Sequence, residues 1–466
     1  MKLVYGIHDK PKFGQLIVLA VQQLLAIMAA TLVVPVIVGN GMSPAAALFG
    51  AGVGTLVYVL FTKKSSPVFL GSSFAFLGSM AAAFAGAVSI QVGYLGLILG
   101  AAFAGLVYVV IAIVVKVAGV KWINSLMPAV VIGPTVAIIG LSLAGNAIGD
   151  LTTSSLEAGS MYVAVICGLV TLFTTIIVTS YGNKTLKLIP YIIGIIAGYI
   201  TASVFYVIGA VANLPALQII DYSPFTALFA DGVQLSSFVA YPDFTFMTAL
   251  KGTGELTGGY IGTIAVAYVP VAFVVFAEHI ADHKNISSII GKDLLEDPGL
   301  SRTLLGDGVG SLVGAFFGGC PNTTYGESIA CVAVTGNASV ATIVAAAIGA
   351  MIISFISPFV ALVNSIPSCV MGGMCMTLYG FIAVSGLRMI KHIDLDRSRN
   401  LFVVSVILIS GIGGFSISFG QVTITEIACA LILGIITNLI LSKKTYPENY
   451  STREKYTAEA EKSESE

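Results

Sequence analysis

Three carboxylates stand in stretches too apolar to solvate them. Glu278 and Asp282 lie four apart in "FAEHIADHKN" (276–285), a spacing that places both on one face of a helix. Glu327 lies in "GGCPNTTYGESIA" (318–330), among Gly, Pro, Asn, two Thr and a Tyr. A carboxylate at mid-bilayer costs about 2.5–3.5 kcal/mol on insertion scales. Acids in such positions therefore face protein or water and mark a functional site by default. His279 and His283 form a second stripe beside the first, with the end of that helix, His283 and Lys284, expected in solvent. The i,i+4 histidines have the spacing of a metal-binding pair, but no HExxH order and no further clustered ligand accompanies them, so no metal site is expected.

The backbone around Glu327 is as unusual as the acid. Pro321 and Asn322 predict the start of a half-helix, whose exposed N–H groups and positive dipole end would point into the membrane interior. Irregular backbone at that depth is tolerated only where it lines a cavity. Phe74, in "GSSFAF" (71–76), has the same small-residue context. Asp307 in "LLGDGVG" (304–310) reads as structural, and Tyr379 in "TLYGF" reads more readily as packing than as a ligand.

Positioning these residues requires a polytopic membrane protein. The 466-residue chain is 57% hydrophobic and 10% charged, with a mean hydropathy of +0.97; soluble domains carry about 25% charged residues. The net charge of -1 identifies no partner, because the charges are segregated along the chain. Six cysteines (167, 320, 331, 369, 375, 429) lie in apolar segments without CxxC spacing and read as small core residues. No cleavable signal peptide is evident, since the first apolar stretch is too long for one.

A span needs about 20 apolar residues. Charge-free runs give two spans each in 13–62, 65–115 and 338–387, 400–442 with its lone Glu426 fits another two, and single spans fit 122–149, 158–183, 188–214, 256–282, 303–319 and 320–336. That makes fourteen. With the N-terminus in the cytoplasm, 21 of the 22 basic residues fall on the inner side, and only Lys251 falls outside, in a loop with Asp221, Asp231 and Asp243. Fourteen divides into two inverted repeats of seven. Interrupted helices at matching positions of such repeats point to a transporter's binding site. Span three, "PVFLGSSFAFLGS" (67–79), matches span ten, which holds Glu327. Span one, with Gln22 and Gln23, matches span eight, with Glu278 and Asp282.

Several stretches together resemble the uracil permease branch of the nucleobase–ascorbate transporter (nucleobase:cation symporter) family. They are "QQLLAIMAATLVVPV" (22–36), "FLGSSFAF" (69–76), "AEH" (277–279), "KDLLEDPGLSR" (292–302), "PNTTYGES" (321–328) and "MGGMCMTLYGFIAVSGLR" (371–388). The resemblance runs over roughly residues 10–445. It implies an all-α polytopic fold of fourteen spans in two inverted seven-span repeats, with short antiparallel β-strands in spans three and ten pairing at mid-membrane. After a cytoplasmic tail (1–13), it implies a core domain from spans 1–4 (14–117) and 8–11 (258–364). A gate domain would be formed by spans 5–7 (118–214) and 12–14 (365–442). An extracellular loop (215–257) and a cytoplasmic C-terminal tail (443–466) complete the chain.

By the same resemblance, the substrate-holding acids fall on Glu278 and Glu327, the span-three aromatic on Phe74, the residue preceding the span-ten acid on Gly326, and a gate tyrosine on Tyr379. Implied partners are uracil, protons, the lipid bilayer and a second copy of the chain through the gate domain. Neither a cofactor nor a nucleic acid is implied, and the location is the plasma or inner membrane. Some uracil permeases carry His four residues after the span-eight Glu, where this chain has Asp282, and some a span-one His where it has Gln23. Histidine is the usual titrator near neutral pH, so the proton path does not transfer unchanged, and Asp282 is expected to take over proton binding.

Uracil is neutral and flat and alternates N–H donors with C=O acceptors. Carboxyl oxygens of Glu278 and Glu327 can accept its N–H bonds, backbone N–H groups near Phe74 and Gly326 can donate to its carbonyls, and Phe74 or Tyr325 can cover a ring face. Acids sharing one dry pocket repel, so at least one of Glu278, Asp282 and Glu327 is expected to hold a proton. An anion exchanger would want a basic residue among the inner spans, which offer none. An intramembrane aspartyl protease needs GxGD, which is absent at Asp307, and a passive channel needs no protonatable acid at a broken helix. A carrier of xanthine, urate or another purine remains the nearest alternative.

Overall fold

The computed structural model describes residues 3–119, 122, 126–183, 186–391, 393–419 and 422–442. The expected tail 443–466, with its five basic residues, and Lys2, Lys121 and Lys184 of the charge count lie outside the described residues. Among the described residues, eight helices have the length and apolar composition to cross a membrane. They are α1 (Phe13–Val38), α2 (Pro44–Phe61), α4 (Ile90–Ala118), the bent pair α5 (Ala129–Ser142) and α6 (Ala144–Leu151), α7 (Met161–Tyr181), α8 (Pro190–Ala212), α9 (Gly258–Ile290) and α14 (Ser368–Ile390). Between and after them come α3 (Leu77–Ala85), α10 (Leu300–Gly318), α11 (Gly326–Thr335), α12 (Val340–Ile353), α13 (Ser357–Asn364), α15 (Ser398–Ile412) and α16 (Glu426–Ser442).

Local chemistry sets the boundaries. Ser43 caps α2 by accepting from the Ala46 N–H at 3.2 Å, with Pro44 in the first turn. Thr257 caps α9, and Gly291, at φ 70°, ends it in the left-handed conformation. At 33 residues α9 is roughly 50 Å long, longer than the about 30 Å of a bilayer's apolar core. Its last turns therefore extend beyond the membrane, and Lys284 is exposed.

Two short strands interrupt the helices. β1 (Leu70–Ser72) and β2 (Asn322–Thr324) pair antiparallel, with Leu70 opposite Thr324 and Ser72 opposite Asn322. This is the strand pair expected in 67–79 and 318–330. Apolar surroundings demand that every backbone group be satisfied internally. Accordingly Thr55 Oγ1 accepts from the Leu70 N–H (2.9 Å) and donates to the Leu70 carbonyl (3.2 Å). Asn322 Nδ2 donates to the Gly50 carbonyl at 3.1 Å. The sequence predicts helix on either side of each strand; the structure places a half-helix only on the C-terminal side. Phe74–Phe76 continues into α3 after β1, and α11 follows β2. Pro321 and Asn322 open the strand rather than the helix, which begins at Gly326, because Thr323 and Thr324 extend the chain into the pairing first.

Helices α1, α2, α4, α9, α10 and α12 pack together around this pair, and α5 to α8 pack with α14 to α16 as a second group. The α2–α10 crossing is close: a Cβ on Gly54 would lie 2.7 Å from the Gly310 carbonyl. Small residues let membrane helices approach in this way. A further hairpin, β3 (Ile417–Phe419) and β4 (Val422–Ile424), joins α15 to α16 and has no counterpart in the sequence reading.

Candidate substrate site

A cavity of about 720 Å³ lies between the two helix groups. Glu278, Asp282, Glu327, Phe74, Tyr325 and Gly326 all line it. The second helix group contributes Ile139 of α5, Tyr191 of α8 and Met376 of α14 to its lining, which also includes Lys187 and Arg388.

α9 presents the first two acids. Glu278 and Asp282, one turn apart and each half-buried, face the cavity. Asp282 Oδ2 accepts a hydrogen bond from Thr324 Oγ1 at 2.7 Å, which ties α9 to β2. The third acid comes from the start of α11: Glu327 is half-buried in its first turn. Tyr325 precedes that helix without a side-chain cap, and Ser73 precedes Phe74 in the same way. Both half-helices therefore bring uncapped N-terminal N–H groups to one cavity from opposite sequence halves. A Cβ on Gly326 would meet nothing within 4 Å, so the backbone there is open to the cavity.

Aromatic rings frame these groups. The Tyr325 hydroxyl donates to the Ser72 carbonyl at 2.7 Å, locking its ring across the strand pair against Gly71, which has no side chain to obstruct it. Phe74 is 8% exposed and meets Tyr379 edge-on, with ring centroids 5.8 Å apart. Tyr379 itself does not line the cavity; it is 2% exposed and stands behind Phe74. On the same turn of α14, Met376, Thr377, Leu378 and Gly380 line the cavity. Gln23 also lies behind the site. Its Nε2 donates to Ser328 Oγ at 2.6 Å, and that oxygen accepts from the Phe69 N–H at 3.0 Å.

The histidine stripe departs from expectation. His283 is fully buried, not solvated, because Tyr58 OH (2.7 Å from Nε2) and the His279 carbonyl (2.8 Å from Nδ1) occupy both its nitrogens. No metal-type cluster of three His, Cys, Asp or Glu occurs among the described residues. The sequence reading missed Thr324, although it lies in the same 318–330 stretch as Glu327, and missed Lys187 and Arg388 in the cavity lining.

A set of carboxyl acceptors, two N-terminal donor clusters and flat ring surfaces in one largely apolar cavity suits a small neutral molecule with alternating donors and acceptors. A permease family profile matches residues 14–418, and the chain belongs to that permease family. It is a multi-pass membrane protein. Among its relatives, the uracil permease of Bacillus caldolyticus is 38% identical over 446 residues, covering 94% of this chain and 95% of the relative. The uracil permease of Escherichia coli K12 is 32% identical over 438 residues, covering 93% of each. The fold is similar to the transmembrane domain of a cyanobacterial bicarbonate transporter, BicA, with a TM-score of 0.60 at 14% identity over 94% of this chain and 99% of that one. It is also similar to the murine anion transporter Slc26a9, with a TM-score of 0.61 at 12% identity over 93% of this chain and 69% of that one.

Proposed function

We propose that this chain imports uracil together with protons by alternating access. The observation that carries the reading is the convergence of Glu278, Glu327 and two half-helix N-termini on one cavity. Uracil's two N–H groups match the carboxyl acceptors, and its two carbonyls match the N–H groups near Phe74 and Gly326. Phe74 and Tyr325 offer it ring faces. The names of the relatives support the pyrimidine over a purine.

Fourteen spans follow if α3, α10, α11, α12, α15 and α16 each cross in part or in full alongside the eight long helices. The separate packing of the two helix groups supports a core formed by residues 14–117 and 258–364 moving against a gate formed by 118–214 and 365–442. The cavity reaches Lys187 and Arg388, which belong to the basic, inner side of the charge count, and this supports an inward-open state. Both termini then lie in the cytoplasm and the protein in the cell membrane. Pairing of gate domains in a homodimer rests on the family resemblance alone.

Proton coupling follows from charge. Uracil brings none, so Glu278, Asp282 and Glu327 ionised together in one apolar cavity are costly. Protonating one of them relieves the repulsion and lets the loaded carrier reorient. Uracil uptake into proteoliposomes with imposed gradients tests this reading. An inward proton gradient should drive uracil above equilibrium, whereas uptake that follows a Na⁺ gradient and ignores pH would refute it.

A further inference from the structure

Behind Glu278 lies a second acid–base group that the substrate site does not use. His279 on α9 and Asp307 on α10 are both fully buried, with Nδ1 and Oδ2 2.7 Å apart. His279 Nε2 meets Thr303 Oγ1 at 3.0 Å. The Thr303 hydroxyl also lies 3.0 Å from the Leu300 carbonyl, and when its single hydrogen goes there the ring donates from Nε2. In that arrangement Nδ1 faces a carboxyl oxygen at hydrogen-bond distance, and one proton lies between them. It belongs either to an imidazolium beside a carboxylate or to a carboxylic acid beside a neutral ring. Both forms are neutral overall. When that proton leaves, the Thr303 hydroxyl can turn to Nε2 and the ring carries its remaining hydrogen on Nδ1 toward the carboxylate, so the couple is left with one negative charge.

Two buried oxygens in this cluster have no hydrogen-bond partner: Asp307 Oδ1 and the hydroxyl of Tyr108 on α4. Tyr108 packs edge-on against His279, with centroids 6.3 Å apart, and interacts electrostatically with both Asp307 and Glu278. The other titratable groups facing the couple are His283, stacked on His279 at 4.0 Å, Tyr58 of α2 behind it, and Asp282 across from Asp307. Glu327 reaches Glu278 and Asp282 from α11. No lysine or arginine hydrogen-bonds or ion-pairs with any of them among the described residues. Ionisable chains buried in transporters are expensive and serve proton transfer by default.

We propose that the Asp307–His279 couple is a second proton-holding site of the carrier, exchanging one proton with Glu278. It rests on the proton-coupled reading above. When the couple gives its proton to the Glu278 carboxylate, the couple goes from neutral to one negative charge and Glu278 becomes neutral, so charge moves without being created.

Asp307→Asn tests the assignment. Its amide can donate to Nδ1 with the same ring tautomer, which holds the packing, but it has no proton to give up. In detergent the variant should bind uracil as the parent does, and in proteoliposomes it should still exchange internal for external uracil. It should lose concentrative uptake driven by a proton gradient, and its exchange should lose the parent's pH dependence. His279→Gln, which replaces the ring with an amide of similar reach, should behave alike and guards against a fold-specific failure of the first variant. Concentrative uptake with the parent's pH profile in either folded variant overturns the proposal, as does loss of uracil binding by a folded Asp307→Asn protein. A parent protein that shows no proton-driven uptake instead overturns the symport reading itself.

Discussion

Glu327→Ala separates stability from binding. The Glu327 carboxylate is half-buried at the start of α11 and makes no hydrogen bond or ion pair with another side chain among the described residues. Its electrostatic neighbours are like-charged, Glu278 and Asp282. Truncation removes that repulsion and loses only the carboxylate's bond to its own backbone N–H and its place at the positive end of α11, so the apparent melting temperature of the purified protein should stay close to the parent's. The loss falls on the ligand. A hydrogen bond to a charged group contributes about 1.5–3 kcal/mol, so uracil affinity should drop roughly 10- to 150-fold. Isothermal titration and a thermal melt on the same preparation give both numbers. Near-parent affinity in a folded variant would refute the assignment of Glu327 to the substrate, and a marked fall in melting temperature would refute the balance of local contact against repulsion.

Gly326→Ala should fold as well as the parent, because its new methyl meets only open cavity, yet weaken uracil binding in the same titration by narrowing the approach to the α11 N–H groups. Thr324→Val keeps the side chain's shape but removes the donor to Asp282, and should lower stability by about 1–3 kcal/mol in denaturant melts. Gly54→Ala places a Cβ 2.7 Å from the Gly310 carbonyl and 2.6 Å from Asn322 Nδ2, and should cost about 1–3 kcal/mol, whereas Gly145→Ala, with nothing within 4 Å, should be neutral in the same melt. Lys292 pairs with the exposed Asp297 at 2.8 Å and holds its carboxyl below the usual carboxylate range, chiefly through that hydrogen bond. Such a pair's contribution is present above the ordinary carboxylate pKa and lost only as pH falls through the lowered one, so Lys292→Ala should lower the melting temperature slightly and by the same amount across roughly pH 5–8, with the difference from the parent vanishing in acid.

Much of the site was readable because its signals are local. Glu278 and Asp282 share a face through helical periodicity alone, and the structure turns that face to the cavity. Gly71, Ser72, Pro321 and the paired threonines mark two segments that cannot continue as lipid-facing helix, and both are strands flanked by a half-helix. Those motifs carried the resemblance, and the chain belongs to the permease family.

What the sequence by itself determined was thus the membrane class, the two broken segments and the acids beside them, since each follows from burial cost and from spacing within a few residues. Only the tertiary structure decided which neighbours those residues meet. Tyr325 bonds to Ser72 from 253 positions away, and Thr324 reaches Asp282 across 42. His283 is buried by Tyr58, and Tyr379 is turned behind Phe74 rather than into the cavity. In helices that are apolar nearly all round, no polar face records which side will be covered. That choice is made by close packing between helices, where glycines such as Gly54 and Gly310 bring two backbones together and fix the rotation of everything attached to them.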